Sequence, residues 1–269
     1  MSLRINTNIE ALNAQRHLSS TTDKLQRSME KLSSGYRINR GADDAAGLGI
    51  SETMRGQIRG LAQAQRNIQD GVSMVQTAEG NLDEVHSMLQ RIRELAVQYK
   101  NGSLSQSSRD AIQTEVNQLA SEIERIGQTA VFNGLSLLAS TSMTSFQVGA
   151  NDGEVIGISM ISLGASLGTA FYSLSVAGTA DISEVDAAIG AVSNARATFG
   201  AVQNRLEHAL SVTAAYQENL VAAESRIRDV DMAEEMVNLT KTQILQQAGT
   251  AMLAQANQSP QAVLQLLRG

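Results

Sequence analysis

Residues 61–99 read LAQAQRNIQDGVSMVQTAEGNLDEVHSMLQRIRELAVQY, and the spacing of apolar residues in that stretch decides the fold. Leu61, Ile68, Val75, Leu82, Leu89 and Ala96 recur every seven residues. Three places after each stand Ala64, Gly71, Ala78, Val85, Ile92 and Tyr99. A helix places both series on one stripe, so the spacing predicts a single helix with an a/d seam sustained through six heptads. Such a helix runs on the order of 58 Å at 1.5 Å rise per residue. The d positions of its first half are small, which lets a partner helix come close. Gly71 costs roughly 1 kcal/mol relative to alanine in an isolated helix, so packing has to compensate.

Two further stretches share this spacing. Ile112, Val116, Leu119, Ile123 and Ile126 step by four and three, and the turn-forming run Lys100-Asn101-Gly102-Ser103-Leu104-Ser105 separates them from Tyr99. A short turn makes the two helices antiparallel neighbours. Later, Val192, Phe199, Leu206, Thr213, Leu220 and Ile227 form a third a series, with Ala195, Val202, Ala209, Tyr216 and Ala223 at d. Residues from about 132 to 180 break the pattern, being rich in Gly, Ser and Thr. There Phe146-Gln147-Val148 and Val155-Ile156-Gly157-Ile158 flank Asn151-Asp152-Gly153, a hairpin signal. The expectation is a mainly α chain, an elongated antiparallel coiled-coil-like helical bundle with a small β-hairpin region closing one end.

Composition supports the narrow seam. Among 269 residues, 42% are hydrophobic but only 3% aromatic, with one proline (Pro260), ten methionines and neither cysteine nor tryptophan. Without bulky rings the core must be filled by aliphatic side chains and methionine, which suits helix–helix contacts. A net charge of −6 with no basic patch argues against nucleic-acid binding. No apolar run has the length of a membrane span, and the first fifteen residues lack the form of a secretory signal. On these grounds alone the chain reads as cytoplasmic.

The termini do not read as frayed ends. Ile5, Ile9 and Leu12 precede Leu18, Leu25, Met29 and Leu32; at the other end come Val237, Ile244, Leu245, Ala248, Met252 and Leu253, then Val263, Leu264, Leu266 and Leu267. A three-helix bundle lying between them in sequence cannot bury all of these. They are expected to pair with each other or to be covered by other copies of the chain. The neutral polar stretch Gln57, Gln63, Gln65, Asn67 and Gln69 also suits burial against copies, because amides avoid the desolvation cost of ions.

Nothing in the sequence points to catalysis, a metal or a cofactor. Asp43-Asp44 precedes a helical stretch and reads as an N-terminal cap. His17, His86 and His208 are scattered, and Gly47-Leu48-Gly49 lacks the preceding strand of a dinucleotide fingerprint. No Gly-x-Ser-x-Gly elbow accompanies the many serines. Asn101-Gly102-Ser103 and Asn238-Leu239-Thr240 match the N-glycosylation pattern, but the second lies inside a helical stretch and neither carries weight.

Several blocks in order then resemble bacterial flagellin: Ser33-Ser34-Gly35-Tyr36-Arg37-Ile38-Asn39, Ala42-Asp43-Asp44-Ala45-Ala46-Gly47-Leu48, Gln76-Thr77-Ala78-Glu79-Gly80, the run from Leu89 to Gln98, the hairpin from Phe146 to Gly153, the run from Ala223 to Met236, and Ala251-Met252-Leu253-Ala254-Gln255-Ala256-Asn257-Gln258. Asn39-Arg40-Gly41 and Gly49 depart from residues that are more often Ser or Ala in the family. The resemblance implies a structural subunit that polymerises into the flagellar filament, in a short form lacking outer variable domains. It also implies that residues 1–40 with 228–269 pair as a filament-core domain that orders on assembly, around which 41–227 form the bundle domain. Export through the flagellar channel replaces the cytoplasmic reading. The implied partners are other copies of the chain, an export chaperone and the export apparatus, filament cap and hook-junction proteins, and a host Toll-like receptor. Carrying the family's receptor motif over selects Gln90, Arg91, Leu95 and Glu115. With Leu89 at a, Arg91 falls at c and Leu95 at g, an arrangement expected to set a cation beside an exposed apolar side chain. Alternatives are a hook–filament junction protein or a cytoplasmic coiled-coil adaptor.

Overall fold

The computed structural model describes residues 8–164 and 181–266, and side chains within these except those of 181 and 259–266. The helices are α1 (Ile9–Ser34), α2 (Ala45–Tyr99), α3 (Gln106–Thr129), α4 (Asp181–Arg228) and α5 (Met232–Leu266). Between α3 and α4 lie β1 (Val131–Phe132), β2 (Leu135–Ser136), β3 (Met143–Gln147) and β4 (Val155–Ser159). Among the described residues no helix is long and apolar enough to cross a membrane. The chain divides into two compact units, Gln57–Asn219 and Met1–Gly56 with Leu220–Gly269.

In the first unit the predicted seam is the core. All twelve a and d positions from Leu61 to Tyr99 are buried. Those from Ile68 onward, Gly71 apart, meet Ile112, Val116, Ala120 and Ile123 of α3 and Val185, Val192, Phe199 and Leu206 of α4 in one apolar cluster. Ser105 caps α3 by accepting from the Ser108 N–H, so the α2–α3 turn ends where its serines predict. Ion pairs flank the seam. Arg93 Nε lies 2.6 Å from Asp186, and Arg196 Nη1 lies 2.8 Å from Asp83.

The β segment lies along the bundle instead of closing its end. With 24 residues, α3 is less than half as long as α2 at 55, so it leaves the nearer part of the α2–α4 seam uncovered. The β3–β4 hairpin fills that gap. Asn67 donates to the Gln147 carbonyl at 3.2 Å, and the Thr213 hydroxyl lies 3.3 Å from the Val148 carbonyl. A Cβ on Gly71 would stand 3.4 Å from both Leu206 and the Phe146 ring, so the helical glycine pays its propensity cost for close three-way packing. Antiparallel pairing runs from Met143↔Ser159 to Gln147↔Val155. Past Thr213, α4 loses this third neighbour, and Tyr216, expected at a d position, is 52% exposed.

A second hairpin was not anticipated from the sequence. β1 and β2 are joined by Asn133 (φ +48°) and Gly134 (φ +80°), with Phe132↔Leu135 closing the turn. Two left-handed residues in succession make the type I′ turn that Asn-Gly favours. The Ser166–Gly168 neighbourhood, which the composition marks as an insertion-tolerant loop, lies outside the described residues.

The second unit holds the antiparallel pair α1 and α5. Asn8 caps α1 and donates to the Ala256 carbonyl at 2.7 Å; at the other end Ser28 donates to Glu235, and Lys31 lies 3.9 Å from the same carboxylate. Among the described side chains of α5, the buried or half-buried positions are Glu235, Leu239, Thr242, Gln246, Gly249, Leu253 and Ala256, a strict four–three alternation. Facing them on α1 are Ala11, Ala14, Leu18, Thr21, Leu25, Ser28 and Leu32. Small residues recur on this line, and the two backbones repeatedly approach within 8 Å, which the helices of the bundle scarcely do. Gly249 sits opposite Leu18, where a Cβ would come within 3.2 Å of Leu18 Cδ1.

A short connector completes this unit. Gly35 (φ +75°) ends α1, and Tyr36 bridges to Asp229. Arg228 stacks 4.8 Å over the Tyr36 ring and reaches Glu52 at 2.8 Å. Asp44 caps α2 by accepting from the Gly47 N–H at 2.9 Å, and Asp43 accepts from the backbone of Asn39 and Arg40. Gly47 is required at this cap, since a Cβ there would lie 2.8 Å from the buried Ile38.

Candidate functional site

Two surfaces concentrate features that a folded monomer does not need. The first is the outside of the α1–α5 pair. Large apolar residues lie off the contact line and face outward: Ile9 at 51% exposure, Ile244 at 61%, Met252 at 65% and Val237 at 68%, joined by Leu12, Met29 and Met236. A groove of about 970 Å³ opens along the pair, with His17, Leu18, Leu245, Gly249, Met252 and Ala256 in its wall. Of the described side chains in the expected terminal stripe, Leu18, Leu25, Leu32 and Leu253 contribute to the helix pair, and the larger share stays open. Contiguous exposed apolar surface of this kind marks a contact with another molecule.

The second surface is the Arg91 cluster, where α2 and α3 run side by side. Arg91 Nε and Nη2 donate to one oxygen of Glu115 at 3.0 and 2.8 Å, and Nη1 donates to Glu94 at 3.2 Å. The Glu115 hydrogen bonds, then those of Glu94, raise the guanidinium pKa further above its ordinary value. Arg91 nonetheless keeps half of its side chain in solvent. Gln90, on the next residue, is exposed and pairs with His86 across Nε2···Nε2 at 2.9 Å. The fold therefore brings Arg91 and Glu115 into direct contact and leaves Gln90 exposed beside them.

Leu95 is not the exposed anchor that its g position implies. It is 2% exposed and belongs to the bundle core. α2 is packed by α3 on one side and by α4 on the other, so its buried face widens from a and d onto g, as at Met74. Heptad lettering describes a two-helix seam and misplaces the flanks of a three-helix one. Glu94 joins the cluster without having been singled out, although its i, i+3 spacing from Arg91 is a legible signal.

Comparison with known proteins assigns the family. The model of the bacterial flagellin N-terminal helical region matches residues 5–143, and that of the C-terminal helical region matches 182–267. The chain belongs to the flagellin family. It is 54% identical to a flagellin of Halalkalibacterium halodurans, over 98% of this chain and 99% of that one. It is 50% identical to a flagellin of Bacillus subtilis, over 99% and 100%. The crystal structure of Bacillus cereus flagellin matches with a TM-score of 0.50 and 31% identity, covering 55% of this chain and 88% of that one. This flagellin is thus a short form without outer variable domains, a structural subunit of the extracellular flagellar filament. Its family is structural, not enzymatic.

Proposed function

We propose that the terminal helix pair, residues 1–40 with 228–269, is the filament-core domain of this flagellin, and that neighbouring copies cover its outward apolar residues. The observation that carries this reading is the two-faced build of α1 and α5: leucines and small residues alternate between the helices, and Ile244, Met252 and Val237 point away from them. At about 25 cal/mol per Å² of apolar surface removed from water, covering several such side chains is a strong drive to associate. An export chaperone, the export apparatus, and the cap and hook-junction proteins are further expected partners, since an apolar surface of this extent needs covering before assembly. Ile244→Asp with Met252→Asp tests the reading. The variant should keep the monomer's helical circular dichroism yet form no filaments under electron microscopy. Filaments of normal length would overturn it.

The exposed Arg91 cluster supports a second role, recognition of the monomer by a host Toll-like receptor through Gln90, Arg91 and Glu115, with Leu95 acting from beneath as the residue that fixes the α2 surface. Arginine with half its side chain free is a common interface anchor. Arg91→Ala should weaken binding of monomer to the receptor ectodomain at least about fivefold, a loss of about 1 kcal/mol that only a minority of interface residues reach. A correctly folded Arg91→Ala monomer that binds as tightly as the parent would remove the cluster from consideration. Leu95→Ala reports on folding first, so its binding has to be read beside its thermal transition.

A further inference from the structure

The chain contains two Asn-Gly pairs, Asn101-Gly102 in the α2–α3 turn and Asn133-Gly134 in the β1–β2 turn. All four residues are exposed, so solvent access does not distinguish them. Their backbones do. Asn133 is held at φ +48° and Gly134 at φ +80°, with the strands paired directly on either side. Asn101 sits in an unpaired turn. Its side-chain Oδ1 accepts two hydrogen bonds from Ser103, from the backbone N–H at 3.2 Å and from the hydroxyl at 3.0 Å.

From this geometry we propose that Asn101 is a self-modifying site, which loses its side-chain amide by attack of the Gly102 backbone nitrogen. In the reaction that nitrogen gives its proton to hydroxide and bonds to Asn101 Cγ, and negative charge collects on Oδ1. The two Ser103 donors already aim at that oxygen and stabilise the charge as it develops, in the manner of an oxyanion hole. The C–Nδ2 bond then breaks and the amide nitrogen departs as ammonia with a proton from water. The five-membered imide that remains takes up one water at either carbonyl, giving aspartate or isoaspartate. One water enters and one ammonia leaves; no oxidant or cofactor takes part. Gly102 matters because it has no Cβ to hinder its own nitrogen or to restrict its rotation.

At Asn133 the same chemistry is blocked by conformation. Ring closure requires the asparagine backbone to turn until the next nitrogen faces its own Cγ. Strand pairing on both sides of a two-residue turn resists that rotation. Asn133 also has no donor on its Oδ1 comparable to Ser103. The product at 101 would carry a new negative charge beside Arg109, whose Nη2 lies 3.4 Å from the Asn101 carbonyl and whose Nε is buried without a partner. A cation with an unused donor favours the charged product.

The test is to incubate the purified full-length chain at mildly alkaline pH and to follow both sites by peptide mass mapping, where each conversion adds about 1 Da, with isoaspartate separated chromatographically. In the native protein Asn101 should convert at least about tenfold faster than Asn133, well within what aligned oxyanion donors can supply. In concentrated urea the two rates should become comparable, because both are then plain Asn-Gly peptides. Ser103→Ala should slow Asn101 about fivefold, roughly the worth of one net hydrogen bond, and Gly102→Ala should slow it further. Equal native rates, a preference that persists in urea, or a Ser103→Ala rate equal to the parent's would each overturn the proposal.

Discussion

The bundle and the terminal helix pair are built from the same residue types put to opposite use. In the bundle, the large apolar residues Ile68, Leu82, Leu89 and Phe199 point inward and are essentially inaccessible. In the α1–α5 pair the contact line mixes leucines such as Leu18 and Leu25 with Ala14, Ser28, Thr242 and Gly249, while Ile9, Val237, Ile244 and Met252 face out. One unit buries its seam within a single chain. The other has spent its small residues on close helix contact and left its apolar surface available. The difference shows that a heptad-like repeat fixes which residues meet but not whether the meeting uses up the chain's hydrophobic surface.

The comparison can be broken most directly by truncation. Removing residues 1–33 and 238–269 should abolish polymerisation altogether while the bundle retains a cooperative thermal transition, because its core cluster draws only on residues between Ile68 and Leu210. Filaments from the doubly truncated chain, seen by electron microscopy, would contradict the division of labour. Loss of the cooperative transition would do so from the other side.

Point substitutions sharpen it. Leu89→Ala or Phe199→Ala opens a cavity in a fully packed seam and should cost about 3–5 kcal/mol of monomer stability, measured by urea unfolding. Leu95→Ala belongs with these, at about 2–4 kcal/mol, since the residue is core. Ile244→Ala should change monomer stability by no more than about 0.5 kcal/mol and instead raise the protein concentration needed for filament growth. If Ile244→Ala unfolds the monomer, the exposed reading of α5 is wrong.

A smaller effect concerns acid. Asp43 is held below the ordinary carboxylate range chiefly by the Arg40 backbone N–H, and Glu52 chiefly by its hydrogen bond from Arg228. A depressed folded-state pKa contributes stability that is present above the unfolded value and is lost as pH falls through the folded one. Below about pH 4, amides of the 36–52 connector should exchange hydrogen sooner than those of the bundle, whose core cluster contains no carboxylate. Uniform loss of protection across both units, measured by mass spectrometry, would sink this prediction.

The bundle was legible because the period of burial equals the period of the sequence. Every a and d residue from Leu61 to Tyr99 went where its spacing sends it. The terminal pair was harder to read, because α5 carries apolar residues on more than one face and the larger ones draw attention from the Leu239–Thr242–Gln246–Gly249 line that makes the contact. Only contact geometry separates a face packed inside the chain from one kept for a neighbour. Asn133-Gly134 was a legible hairpin signal overlooked beside the stronger Asn151-Asp152-Gly153. In the Arg91 cluster, the Arg91–Glu115 pair depends on the register of α2 against α3. Leu95 depends on α2 having neighbours on two sides. Neither property is local in sequence.

The link between Ser28 and Glu235 has a consequence for the order in which the molecule folds. It joins positions 207 residues apart, and closing so long a loop from an unfolded chain costs about 3 kcal/mol more than closing one of about ten residues. The contact between Gln65 and Gln217 shortens the path. Once α2 and α4 are side by side, about 55 residues remain to be closed and the entropic cost falls by about 1 kcal/mol. The α2–α3 turn, by contrast, joins helices that are adjacent in sequence and forms from local contacts. Closure entropy therefore favours an order in which the bundle forms before the terminal helices pair.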